Sequence, residues 1–130
     1  MRQAVLAVTL VLLAVGAGSE AGMVRMVVAD LPYARVWDAA VRAVAGYPLE
    51  RAADGVITTA WRERAPREGE AGFSRVAERL SLRVEPFAER ITRVTVEVEA
   101  KGWREGEWVP IPDTEAIARE VLARIRDAQG

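Results

Sequence analysis

The stretch Arg79-Leu80-Ser81-Leu82-Arg83-Val84-Glu85, answered after a short break by Arg93-Val94-Thr95-Val96-Glu97-Val98-Glu99-Ala100, decides the fold. Apolar and polar residues alternate in both. A strand turns successive side chains to opposite faces, so Leu80, Leu82 and Val84 share one face with Val94, Val96 and Val98. Arg79, Ser81, Arg83 and Glu85 share the other with Arg93, Thr95, Glu97 and Glu99. This pattern predicts two antiparallel strands in a sheet with one buried and one wet face. Pro86 to Arg90 read as the turn between them. On the wet face, Arg79 is expected to pair with Glu97 or Glu99. Val76 continues the buried set, whereas Glu78 interrupts it and reads as a position near a strand end.

Working outward, Ala53-Asp54-Gly55 is a hairpin signal, because both central positions tolerate positive φ. It joins a short strand over Leu49 to Ala52 to a β-branched one over Val56 to Trp61. Met23 to Ala29 alternates as a further strand. Asp30 offers an N-cap and Pro32 a first turn for a helix reaching about Ala45. Tyr33, Val36, Trp37, Ala40, Val41 and Val44 form its apolar stripe, and Trp37 is expected in the core. Asp113 or Thr114 caps a final helix, whose stripe is Ile117, Ala118, Val121, Leu122 and Ile125. Arg62 to Gly72 lacks any period and reads as an exposed, mobile loop. Lys101 to Pro112 reads as a second loop. The fold class is therefore α+β: a single antiparallel β-sheet, order β-α-β-β-β-β-α, with two helices packed on one face.

Met1-Arg2-Gln3 precedes an uncharged apolar run from Ala4 to Val15, after which small residues take over. This is the pattern of an export signal, and the run falls short of the roughly 20 apolar residues that span a bilayer. Residues 1–21 are expected to be a signal peptide cleaved somewhere in 17–21, leaving a single domain over 22–130. The expected location is periplasmic or secreted. A membrane enters only if the segment is retained as an anchor. The chain has no cysteine, which excludes disulfides and a thioether-linked lipid anchor.

A formal net charge of −1, unchanged by losing Arg2 with Glu20, offers no general attraction to phosphate, so no nucleic-acid partner is expected. Charged residues make up 28% of the chain and are mixed in sign, as on an ordinary soluble surface. Without histidine or cysteine, the common nucleophile–base pairs and Cys/His zinc sites cannot be built. Glycine-rich phosphate loops and Asp-x-Asp calcium loops are missing too. Glu97 and Glu99 project from one strand face about 7 Å apart by strand geometry, but outward charges are what an alternating strand carries anyway. Glu105 and Glu107 are no better placed. No catalytic residue, metal ligand or cofactor is assigned, and the chain is expected not to be an enzyme.

The candidate partner surface comprises Trp61, Trp103, Trp108, Arg79, Arg83 and Arg93. Indoles at loops and strand ends bury much area while ordering few torsions, which suits binding anchors. The competing reading makes them plugs at the end of a small core. The arginines form either a basic patch on the open face or an ordinary salt-bridged surface.

Tyr33-Ala34-Arg35-Val36-Trp37-Asp38-Ala39-Ala40 opening a helix, Asp54-Gly55-Val56-Ile57-Thr58-Thr59-Ala60-Trp61, and Arg79-Leu80-Ser81-Leu82-Arg83-Val84 with the valine-rich strand after it resemble domains of the BamC family. These are lipoproteins associated with the outer-membrane β-barrel assembly machinery. The likeness runs from about Met26 to Ala128, and its motifs encode helix start, hairpin turn and strand alternation. Two features depart from the family: the absence of a lipid-bearing cysteine, and a length sufficient for one domain. The resemblance implies a domain that works by contact, with an envelope protein as partner. The expected function is that of an exported, non-enzymatic cell-envelope protein serving as a protein-interaction module in outer-membrane assembly or maintenance. The alternative is a periplasmic small-ligand-binding or sensor domain with an apolar pocket between helices and sheet.

Overall fold

A computed structural model describes residues 8–12 and 22–128. The spine is a hairpin of two long strands, β6 (Arg75–Ala88) and β7 (Ile91–Arg104), and its register sets Leu80 opposite Val98, Leu82 opposite Val96 and Val84 opposite Val94. All six are almost wholly buried, as the alternation requires. Outward, β2 (Gly22–Ala29) pairs with β7 and β4 (Val56–Thr59) with β6. β3 (Leu49–Ala53) pairs with β4. All these pairings are antiparallel.

Both helices lie on the same face of this sheet and touch each other. Helix α1 (Tyr33–Ala43) buries Val36, Ala39, Ala40 and Ala43. Helix α2 (Glu115–Ala128) buries Ile117, Ala118, Val121, Leu122 and Ile125. These residues join Val24, Met26, Val28 and the spine in one core. Thr114 stands just ahead of α2. Its hydroxyl donates to the Val98 carbonyl at 3.0 Å, and its own carbonyl accepts from Ala118 N–H at 3.1 Å, tying the helix start to β7. The Asp54-Gly55 turn forms as expected, with φ of 56° and 77°. A Cβ on Gly55 would stand 2.7 Å from the Val84 carbonyl oxygen, so glycine here serves both the turn and the close approach.

Several local expectations are corrected. Asp30 is not the N-cap of α1: it adopts φ 65° and donates its N–H to the Arg90 carbonyl, and Pro32 occupies the cap position with no side-chain bond. The helix ends at Ala43. Trp37 is half-buried at the rim, because the buried line runs through positions 36, 39/40 and 43, and the next residue along a helix is rotated about 100° away. The turn of the spine is tighter than expected, since β6 continues through Pro86 to Ala88 with a register shift there.

Neither expected loop is a plain loop. Arg62–Arg64 form β5, paired with β6 at Val76 to Glu78. The chain that follows is fastened down. Arg64 makes a two-pronged bond to Glu70 at 2.7 and 2.9 Å, and Arg67 reaches Glu120 on α2 at 2.6 Å. The Phe73 ring lies on Gly102, where any Cβ would meet it at 2.3 Å. In the second segment, β7 continues to Arg104, Glu105 and Gly106 make a tight turn at φ 52° and 81°, and β8 (Glu107–Ile111) returns along β7. Glu78, expected near a strand end, sits inside β6 and is buried. Its carboxylate accepts from the Tyr47 hydroxyl and from Arg64 Nε at 2.9 Å. An ion pair and a hydroxyl satisfy this charge, which is how a buried carboxylate is tolerated.

At the amino terminus, Val8–Leu12 form β1, an antiparallel partner of β2 with Val8 opposite Val28 and Leu12 opposite Val24. The rest of the segment read as an export signal, residues 1–7 and 13–21, lies outside the described residues. With β1 the sheet has eight strands among the described residues. No helix among them is long and apolar enough to cross a membrane, which says nothing of β-barrels.

Candidate functional site

The face of the sheet away from the helices remains open, and its sequence parity decides what it carries. Odd-numbered positions of β6 and β7 point there: Arg75, Arg79, Ser81 and Arg83 on one strand, Arg93, Glu97, Glu99, Lys101 and Trp103 on the other. The tight Glu105-Gly106 turn then sets Trp108 of β8 directly opposite Trp103. The two indoles meet edge to face, centroids 5.3 Å apart and planes at 72°, the geometry favoured by the aromatic quadrupole.

Cations are interleaved with these rings. Arg75 lies over Trp103 at 5.5 Å and over Trp108 at 5.0 Å. Lys101, the chain's sole lysine, places its ammonium 5.0 Å from the Trp108 centroid and 4.1 Å from that of Trp61. Arg79 stacks on Trp61 at 4.6 Å. A continuous band results: Trp103, Arg75, Trp108, Lys101, Trp61, Arg79. Contacts of this kind are individually weak where water reaches them, so the band holds its own shape without being rigidly fixed.

The two arginines are neutralised locally. Arg79 bonds Glu99 at 2.7 Å and Arg75 bonds Glu63 at 2.7 and 2.9 Å. Those hydrogen bonds raise both guanidinium pKa values and lower that of Glu63. Lys101 makes no ion pair among the described residues. Beside the band the face is concave, a groove of about 780 Å³ bordered by Trp61, Arg79, Lys101, Glu50, Glu97 and Glu99.

Arg83 and Arg93 lie on the same face at its other end, with Ser81 and Glu97 between them and the band. Arg93 bonds Glu85 at 3.1 Å and stacks on the exposed Phe87 at 4.7 Å. Arg83 is exposed, facing Thr95 across the ladder. With Arg25 they border a second groove of about 470 Å³. Thus Trp61, Trp103, Trp108 and Arg79 converge, while Arg83 and Arg93 form a separate arginine end. Sequence reasoning missed Arg75 and Lys101. Extending the strand alternation four residues back from Arg79 and two residues on from Glu99 finds both, since Arg75 shares the parity of Arg79 and Lys101 that of Glu99.

Trp103 and Trp108 are half-buried against each other and lie outside the core between sheet and helices. Glu99 is engaged by Arg79, and Glu105 and Glu107 are exposed on the turn. Chemically, the band can stack flat or apolar groups, Lys101 can donate to an acceptor, and the groove carboxylates can receive donors. No group of three or more carboxylates suited to a metal occurs among the described residues. No protein-family model matches the chain, and no curated protein matches it.

Proposed function

We propose that this chain is an exported, non-enzymatic cell-envelope domain that binds another protein across its open sheet face, in the manner of an outer-membrane assembly or maintenance factor of BamC-like fold. One observation carries the reading: the partly exposed Trp103–Arg75–Trp108–Lys101–Trp61–Arg79 band, whose Lys101–Trp61–Arg79 end borders a groove of about 780 Å³. Tryptophan and arginine are the residues most enriched among interface hot spots, and here they are pre-stacked, which lowers the ordering cost of binding. Export is supported by the apolar run after Arg2. The alternative of a small ligand between helices and sheet gains no support, because that space is filled by Val36, Ala40, Leu82, Val96, Val121 and Leu122.

A photo-crosslinking residue placed in living cells at Ser81 on the open face, with Arg119 on α2 as control, tests the proposal. A discrete adduct from Ser81 alone, lost on Trp103→Ala with Trp108→Ala while the near-UV spectrum stays folded, is the expected result. Equal labelling from both positions, or none, overturns it. The amino-terminal residue of protein recovered from the envelope fraction reports on export separately.

A further inference from the structure

The outer strands of this sheet are β3, β5, β8 and β1, the last covering β2, and the edges they leave or cover differ in protection. β3 is five residues long, fully exposed, charged at Glu50 and Arg51, and broken by a register shift between Leu49 and Arg51. β5 is Arg-Glu-Arg. β8 carries Pro110, which cannot donate to a ladder. Short length, charge, bulges and proline are the usual guards against unwanted strand addition. β2 is the least guarded. Its eight residues pair with β7 without a register shift, contain no proline, and include a single charge, Arg25.

What covers the outer edge of β2 is β1, and β1 is drawn from the segment that reads as the export signal. Its sequence, Val8-Thr9-Leu10-Val11-Leu12, is uncharged and aliphatic or β-branched, and it runs antiparallel opposite Val24 to Val28. We infer that the outer edge of β2 is a strand-acceptor site for an extended, uncharged, aliphatic segment of a partner protein, a site the chain's own Val8–Leu12 fills until it is removed. Backbone ladder bonds supply the affinity in strand addition, and alternate side-chain positions supply the specificity. In cells, vacating the edge rests on the export reading, since cleavage within 17–21 takes β1 away. The acceptor property itself does not depend on export.

The test uses the purified full chain with a fluorescent peptide of residues 7–13, extended by two lysines for solubility. A Thr9→Pro, Leu10→Pro variant releases β1, because one of any two adjacent amides faces the neighbouring strand. A Thr9→Gly, Val11→Gly variant releases it more gently. Both variants are expected to bind the peptide at least about tenfold more tightly than the parent, in which the tethered strand competes at millimolar effective concentration. Two N-methylated peptides, modified at Val8, Leu10 and Leu12 or at Thr9 and Val11, are expected to differ: one set of amides faces β2 and the other does not. The inference is overturned by equal affinity for parent and both variants, by equal binding of the two methylated peptides, or by variants that form dimers and take up no peptide. Envelope protein that retains Met1 would sink the export reading and leave these binding results as they stand.

Discussion

Glu78 and Glu99 sit on the same two-stranded spine, one strand apart, each held by an arginine, and they do opposite things. Glu78 faces the helix side with its side chain 2% exposed, and is bonded by Arg64 Nε and the Tyr47 hydroxyl. Glu99 faces the open side at 52% exposure and is bonded by Arg79. Around Glu78 the partners are themselves fixed: Arg64 is clasped by Glu70, and Arg62 stacks on the Tyr47 ring at 4.8 Å. Around Glu99 the partner is shared with an indole, and water reaches both. Arginine–glutamate pairing therefore locks a loop to the sheet on one side, and on the other keeps a surface polar while leaving it free to exchange partners. Burial, more than the identity of the pair, sets the role.

The sharpest way to break this contrast is Arg64→Ala. It leaves Glu78 buried without its cation and releases Glu70, and a loss of about 3–5 kcal/mol is expected in urea unfolding, as for other buried pairs stripped of one partner. Tyr47→Phe keeps the ring and removes one donor to Glu78, with an expected cost of about 1–3 kcal/mol. It should also change the alkaline behaviour. Burial, and then the hydrogen bond to Glu78, push the Tyr47 hydroxyl up from 10.0 to about 12. A raised pKa in the folded state means stability that is complete below pH 10 and drains away as the pH climbs toward 12. Unfolding midpoints of the parent should fall across that window, and those of Tyr47→Phe should fall less.

At the acidic end the sign reverses. The Arg64 guanidinium, and to a lesser degree the Arg67 N–H, hold the Glu70 carboxyl below its ordinary value of 4.5. Its contribution is present above that pH and is lost as the pH falls through the depressed value. Thermal melts of Glu70→Gln should be less sensitive to acidification than those of the parent. The smallest effect belongs to the open face. Glu99→Ala should cost about 0.2–1 kcal/mol, the range for exposed pairs, and the difference should shrink in high salt. A loss comparable to Arg64→Ala would erase the distinction drawn between the two faces.

The legibility of these features follows the same division. Where burial alternates with exposure, as at Leu80 to Glu85 and Arg93 to Glu99, the strand and its inner face can be read directly from residue type. The Asp54-Gly55 turn is equally plain, since few residues accept positive φ. Glu78 is illegible because a charge inside a strand looks like the strand's end unless Tyr47 and Arg64, 31 and 14 residues away, are known to meet it. β5 is all charge and three residues long, and β8 contains a proline, so neither shows a hydrophobic period. At the candidate face, the three tryptophans stand out by chemistry alone. Their contacts with Arg75 and Lys101 depend on the β6–β7 register and on a Glu-Gly turn that reads as an ordinary loop.

The placement of α2 bears on timing. The core between helices and sheet is completed by Ile117, Val121, Leu122 and Ile125, and α2 packs on β2, which lies far from it in sequence. The spine hairpin is local and can form early, and α1 covers part of its inner face, but the rest stays uncovered until residues 115–128 dock. Cooperative closure therefore waits on a contact between two elements far apart in sequence, β2 and α2.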